Sequence, residues 1–371
     1  MNLTDLDPST TIQKQRSFPA ITQPKIVGFF SVGTERQYIP TADNLKYLNL
    51  PKPEANGCLR IDLNKGFEIR IPKPTSAKQE RIDHLLRFMV HNGMNVTEGN
   101  STKPDFVCFR GLLRMLMCTP YDRDTGWIVL ASRYKGTIYL CSKETPEKLQ
   151  QEANETEKQK RFCYYGFKFE QHVLTDDPNS EPNTSAPVVE SEEFCCLFST
   201  TLENKRILYG AEMDGIFSQT PINRDQIDAT LLNRLQFVEV KVKRRESNQR
   251  QADNFFRFKS IKWWCQSFLV NVQRLFVGLR NDRGIVDEIT EMSLKQLDRQ
   301  SRRFWSASVC MTFCSDFLEL VRAKMSQVDS PHTVYRFDYD PGKARAVLFG
   351  VLEGMNEETF LPDWYVSGVN N

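Results

Sequence analysis

The chain has little net charge and little histidine. Among 371 residues the formal net charge is +2, and there are only four histidines. So small a charge excludes a bulk polycation that coats nucleic acid; an acidic or polyphosphate partner must be held by a local site. No histidine stands at a zinc-like spacing from a cysteine, and none of the ten cysteines forms a CxxC pair. A zinc-finger framework or thioredoxin-type redox motif is therefore excluded. No run of about 18 apolar residues is present to span a bilayer. The opening stretch "MNLTDLDPSTTIQKQRSF" is polar and acidic at its start, unlike a signal peptide. Most cysteines sit in apolar runs such as "FVCFRG" and "WWCQSF". They read as buried free thiols in a reducing compartment, the cytosol or nucleus.

The chain is well supplied with core-forming material: 40% of it is hydrophobic and 26% charged, ordinary for a globular protein. Residues 1–24, rich in Thr, Gln and Pro, are expected to form a flexible arm, and 25–371 a single domain. Apolar spacing predicts helices over 78–93, 110–118, 255–272 and 305–325. "FVCF" (106–109) reads as a strand running directly into the 110–118 helix. Hairpins are expected around Lys135-Gly136 and Pro341-Gly342. Loops are expected at 176–187 and 218–235. Strands and helices mix without strict βαβ alternation, which predicts an α+β (mixed) fold.

"RILYGAEMDGIF" places Glu212 and Asp214 two apart in a segment that reads as a strand. On an extended chain both point to one face, where they repel unless a positive charge is shared. "QFVEVKVK" (236–243) alternates, with Val238, Val240 and Val242 on one face and Glu239, Lys241 and Lys243 on the other. If the two strands pair antiparallel, Glu212, Asp214, Glu239 and Lys241 gather. Three carboxylates and a lysine suit a hydrolytic Mg²⁺ or Mn²⁺ site, since both ions prefer hard oxygen ligands. The bland alternative is a half-exposed strand carrying solvated charges.

In "YYGFKFEQH" (164–172) helical and strand periods compete, and the helical one fits better. Glu170 is a charge among aromatics, so its burial demands a partner or a cation; a boundary glutamate at a helix edge is the alternative. Arg110 stands where a strand becomes a helix, and the free N–H groups of a helix start favour anions. Its guanidinium adds a bidentate phosphate donor, unless it is an ordinary surface arginine. Lys259 and Gln266, seven apart, share a helix face. Trp263 and Trp264 read as core. The run "KVKRR" (241–245) suits phosphate contact or nuclear import.

Taken together, "GFKFE", "EMD", "EVK" and the "KWWCQSF" helix resemble the ordered signature of the DXO family of decapping exoribonucleases. "SVGTERQY", "QERIDHLL", "RGLLRMLMCTPYD", "GWIVLASRYKGTIYL", "SVCMTFC" and "FLPDWYV" extend the resemblance over about residues 26–367. The resemblance implies a large mixed β-sheet core with helices around a deep cleft, similar to the D-(D/E)xK nucleases. It implies that Glu170, Glu212, Asp214, Glu239 and the carbonyl of Val240 bind one or two Mg²⁺ or Mn²⁺ ions. Lys241 would then position the nucleophile, and Glu170, Glu212, Asp214, Glu239 and Lys241 form the catalytic set. Arg36, Glu80, Phe109, Arg110, Gly111, Cys195, Glu212, Lys241 and Gln266 are implied as substrate contacts. The implied activity is hydrolysis at RNA 5′ ends: unmethylated caps, 5′-triphosphates and NAD caps, with 5′→3′ degradation in some members. One branch of the family partners with a nuclear 5′→3′ exoribonuclease. Another has lost the catalytic residues and acts by binding alone, which makes a non-catalytic adaptor the alternative.

Overall fold

Turn chemistry lays out the first hairpin. Strands Trp127–Tyr134 and Thr137–Lys143 pair antiparallel across Lys135 (φ 49°) and Gly136 (φ 77°). Two left-handed residues make the tight turn whose twist matches the strands. The structure, a computed structural model, describes residues 1–53, 58–94 and 103–368. Among these residues the strands form two sheets. The larger has ten strands and holds the hairpin, with Phe106–Phe109, Lys205–Glu212, Glu193–Leu202 and Lys25–Val32 following in that order. Phe106–Phe109 runs parallel to both of its neighbours. The smaller sheet has seven strands, with Phe237–Arg244 parallel to Arg274–Arg280. The mixed α+β expectation therefore holds.

The two acidic motif segments pair differently from expectation. Only the short strand Gly215–Ile216 lies antiparallel to Phe237 and Val238. Lys205–Glu212 belongs to the larger sheet, where Glu212 faces Cys195 across the antiparallel pair. The chain passes from one sheet to the other at Met213–Asp214, and the Met213 N–H donates to the Phe194 carbonyl (2.8 Å). Gly215 permits this crossing, because a Cβ there would lie 3.1 Å from the Lys46 carbonyl oxygen. Glu212 and Asp214 thus stand at the seam between two sheets.

Segment 157–173 is one helix, so the helical reading of "YYGFKFEQH" holds. A capping box of Thr156 and Gln159 starts it. Tyr165, Phe169 and Val173, four apart, pack against Val238, Val240 and Phe276. Burial of Phe169 stabilises this contact by roughly 1.5–3 kcal/mol. Its ring lies so close to the sheet that a Cβ on Gly278 would come within 2.7 Å of it. Helix Arg110–Cys118 buries Leu112, Leu113, Leu116 and Met117, and it packs on helix Ser260–Leu269. The sulfurs of Cys118 and Cys265 are 4.0 Å apart across that contact. A wide π-helical turn, Phe255–Lys259, precedes Ser260 in what the sequence presents as one uniform helix.

The segment expected as a flexible arm carries regular structure. Asn2–Leu3 pairs with the Leu348–Leu352 strand, and helix Pro8–Lys14 is capped by Asp7. Thr4 is buried, and its hydroxyl donates to the Val347 carbonyl (2.7 Å). All ten cysteines are free thiols; eight are buried, whereas Cys58 and Cys163 are exposed. Among the described residues no helix is long and apolar enough to cross a membrane.

Candidate active site

The seam opens into a cavity of about 500 Å³, and Glu170, Glu193, Glu212 and Asp214 all lie on its wall. Glu170 comes from the last turns of the 157–173 helix, held in place by the Phe169 contact below it. Burial, with Asp214 and Glu212 nearby, pushes the Glu170 carboxyl well above its ordinary value. Glu212 is exposed at the end of its strand, yet loss of water around its carboxyl, with Glu193 and Asp214, raises it to about 7. Burial and Glu239 raise Asp214 to about 6, against the pull of Lys241 and a hydrogen bond from the Val240 N–H (2.6 Å). The common cause is loss of water around like charges.

Glu239 stands deeper, 1% exposed, on the polar face of its strand. Its Oε1 accepts from Gln266 Nε2 (2.7 Å) and from Lys241 Nζ. Lys241 Nζ is also 3.9 Å from Asp214 Oδ2. Burial alone would lower the Lys241 pKa, but Glu239 and Asp214 outweigh it and hold the ammonium charged. Arg110 is the first residue of its helix and 7% exposed. Its Nη1 lies 3.9 Å from Glu239 Oε2 and has no hydrogen-bond partner. A buried guanidinium donor without an acceptor is costly, and its position suits an anionic ligand. Phe109 ends the preceding strand. Gly111 is open to solvent, with nothing within 4 Å of a Cβ built there.

Arg36 and Glu80 form a second cluster. Glu80 takes both Nε and Nη2 of Arg36 (2.8 and 2.7 Å), and Glu193 takes Nη1 (2.7 Å). Arg36 adopts φ 62°, and its own carbonyl lies 2.9 Å from His84 Nε2. Lys73 Nζ bonds Glu193 as well (2.6 Å). Burial opposes ionisation of Glu193, but Lys73 and Arg36 keep its carboxyl below the usual range. Because Glu193 also lines the cavity, it joins the arginine cluster to the acidic one.

Sequence reasoning missed Glu193 and Lys73. The strand alternation puts Glu193 on the face of Cys195, but Glu190 and Glu192 stand beside it and nothing local sets one acid apart. Cys195 is a buried residue beside Glu212, and Lys259 departs from its expected relation to Gln266. The Cys195 thiol is buried with Phe30, Val32 and Leu197, on the same sheet face as Glu212, its partner across the antiparallel pair. Burial raises that thiol far above its ordinary pKa. Lys259 falls in the π-helical turn and is exposed, and of the pair only Gln266 reaches Glu239. Trp264 is core, as expected. The basic run 241–245 is locally neutralised: Arg245 meets Asp287 (2.6 Å), and Lys243 and Arg244 meet Glu246 and Asp282.

The donor set fits a hard divalent cation. Carboxyl groups crowd the seam, three of them above their ordinary pKa, with one lysine among them. A divalent cation would relieve that repulsion. Among the described residues no three acidic, histidine or cysteine side chains form a finished metal-binding group. Glu239 is instead turned toward Lys241 and Gln266.

Comparison with known proteins gives the family and the fold. The model of the RAI1 like PD-(D/E)XK nuclease family matches residues 22–366. The Drosophila melanogaster decapping and exoribonuclease protein Rai1 is 34% identical, over 94% of this chain and 92% of its own length. Two crystal structures share the fold. Scheffersomyces stipitis Rai1 in complex with (3′-NADP)⁺ and a calcium ion has a TM-score of 0.79, at 18% identity over 100% of each chain. Candida albicans Rai1 in complex with pU5 and Mn²⁺ has a TM-score of 0.78, at 17% identity over 100% of each chain. With its E-x-D and E-x-K motifs meeting at one seam, this chain belongs to the RAI1 like PD-(D/E)XK nuclease family.

Proposed function

We propose that this protein is a metal-dependent hydrolase of RNA 5′ ends. It removes unmethylated caps, 5′-triphosphate ends and NAD caps, and degrades the exposed RNA 5′→3′. One observation carries the reading. Glu170, Glu212 and Asp214 crowd one cavity at raised pKa, while Lys241 and the unpartnered Arg110 donor stand beside them.

Mg²⁺ or Mn²⁺, as one or two ions held by Glu170, Glu212, Asp214 and Glu239, would activate water and offset charge on the phosphate. The chain's own groups do the rest. Arg110 Nη1 offers the free donor for a phosphate oxygen, and Gln266 fixes the Glu239 carboxylate. Lys241 keeps a charged ammonium where it can hold the attacking water or a phosphoryl oxygen. In the reaction the water oxygen forms a bond to phosphorus, the bond to the leaving oxygen breaks, and the water proton passes to solvent. A non-catalytic adaptor has no use for a repelling acidic seam, and the retained acids and lysine speak against it.

The test is turnover of 5′-triphosphate or unmethylated-cap RNA with Mn²⁺; no product from the pure protein removes the reading. A nuclear location and a 5′→3′ exoribonuclease partner belong to this proposal as well. They rest on the family resemblance, and a purified exoribonuclease passing unretained over the immobilised chain would count against the partner.

A further inference from the structure

We propose that a basic groove leading away from the seam holds the body of a single-stranded RNA, downstream of the 5′ end. The proposal rests on the hydrolase reading for the identity of the ligand, but its geometry is separate. Two open cavities, of about 410 and about 660 Å³, share Cys118, Asp122, Thr125 and Lys262 in their walls. They therefore form one groove. Its near end includes Gly111, the residue after Arg110.

Both helices that serve the seam line this groove. On one, Arg114 follows Arg110 by four residues; on the other, Lys262 precedes Gln266 by four. Four residues return to the same helix face about one turn along. Cationic side chains therefore step outward from the seam on two packed helices. Beyond them Phe258 is 54% exposed. The Arg257 guanidinium lies 5.9 Å from its ring centroid and 5.3 Å from that of Phe304.

Charge separates the groove from the cavity. The groove walls hold seven Arg or Lys against three Asp or Glu. The seam cavity holds eight Asp or Glu against one lysine, Lys46. Lys143, Lys148, Lys262 and Arg303 meet Glu358, Glu144, Asp122 and Asp253, but Arg114, Arg123 and Arg257 have no ion pair among the described residues. Unpaired guanidinium groups interleaved with an exposed aromatic ring are the means by which proteins hold single strands without sequence preference. An acidic protein would satisfy the charges but not the ring.

The test is binding by the full chain in EDTA, with labelled oligouridylates of about four and about fifteen nucleotides. The wild type should bind the longer strand about tenfold more tightly. Arg114→Ser with Arg257→Ser and Phe258→Ala should lose that preference. The log–log salt slope should shrink by about 1.4, roughly 0.7 for each lost phosphate contact. Phe258→Tyr, which keeps a ring, should retain the preference, and Arg257→Ser alone should lose about half of the slope change. Three results overturn the proposal: no length preference in the wild type, an undiminished preference in the triple variant, or equal displacement by polyglutamate of the same charge. Turnover of 5′-triphosphate RNA with Mn²⁺ is read separately. Its failure removes the hydrolase, whereas length preference in EDTA judges the groove alone.

Discussion

The seam cavity and the groove carry opposite charge and hold it in opposite ways. In the cavity the carboxyls stand together, with Glu239 buried, Glu170 and Asp214 half-buried and Glu212 at the exposed strand end, and loss of water around the carboxyls with mutual repulsion raises Glu212 to about 7 and Asp214 to about 6. In the groove Arg123, Arg257 and Lys262 are exposed. Exposed charges keep their hydration, interact weakly and are screened by salt. The cavity is therefore strained until a cation neutralises it, whereas the groove is relaxed and merely favours an anion. A net charge of +2 hides this division. Changes in the cavity should alter both chemistry and stability; changes in the groove should alter binding alone.

The largest effect follows from breaking the cavity itself. Glu212→Ala with Asp214→Ala should bring release of product from 5′-triphosphate RNA down to background. Lys241→Ala should lower turnover by about 10²–10³-fold, the usual loss on removing one charge-stabilising donor. Turnover near wild type in either variant would place the chemistry elsewhere.

Metal removal sharpens the same contrast. EDTA should stop turnover. Mn²⁺ at about 100 times its Kd should stabilise the fold by about 2.7 kcal/mol, read as a rise in thermal midpoint. Glu212→Gln removes a repelling charge that makes no hydrogen bond among the described residues, so in EDTA this variant should melt above wild type. The pH dependence has a definite sign. The folded carboxyls, at about 7 for Glu212 and about 6 for Asp214, lie above their ordinary values of 4.5 and 3.8. Between those limits the folded chain binds more protons than the unfolded one, so stability in EDTA should fall as pH rises. Mn²⁺ should flatten that fall. A rise in stability across the window would contradict the repulsion.

Much of the cavity was legible because spacing encodes direction. The i, i+2 rule placed Glu212 with Asp214 and Glu239 with Lys241, and a 3.6-residue period put Glu170 on a helix. What spacing does not encode is which strands pair. The apolar run around Glu212 hides a change of sheet at Met213–Asp214, because crossing and continuing strands share one alternating pattern. Glu193 escaped for a related reason: it acts through Arg36 and Lys73, 157 and 120 residues away. The π-helical turn at Phe255–Lys259 broke the seven-residue relation between Lys259 and Gln266. Short N-terminal elements such as Asn2–Leu3 owe their form to distant strands rather than to local propensity.

A smaller effect should come from the support beneath Glu170. Gly278→Ala drives a methyl group to within 2.7 Å of the Phe169 ring. The helix must lift or the ring must leave its rotamer, at about 1–3 kcal/mol. Because Glu170 follows Phe169, turnover should fall severalfold while RNA binding in the groove is retained. If the midpoint drops but turnover does not, Glu170 tolerates displacement and its role in the cavity is weaker than its position suggests.

The smallest effect is expected at Cys195, and it tests where the cavity ends. It faces Glu212 across the strand pair, and its thiol is buried among Phe30, Val32 and Leu197. A side chain so placed can reach substrate only if the core opens. Cys195→Ala should therefore leave KM and kcat within about twofold and lower stability by about 1 kcal/mol, in keeping with a lost buried atom. A tenfold rise in KM at unchanged stability would show that the thiol is presented to substrate. In that case the cavity wall rearranges on binding, and the division between strained seam and relaxed groove describes the free protein only.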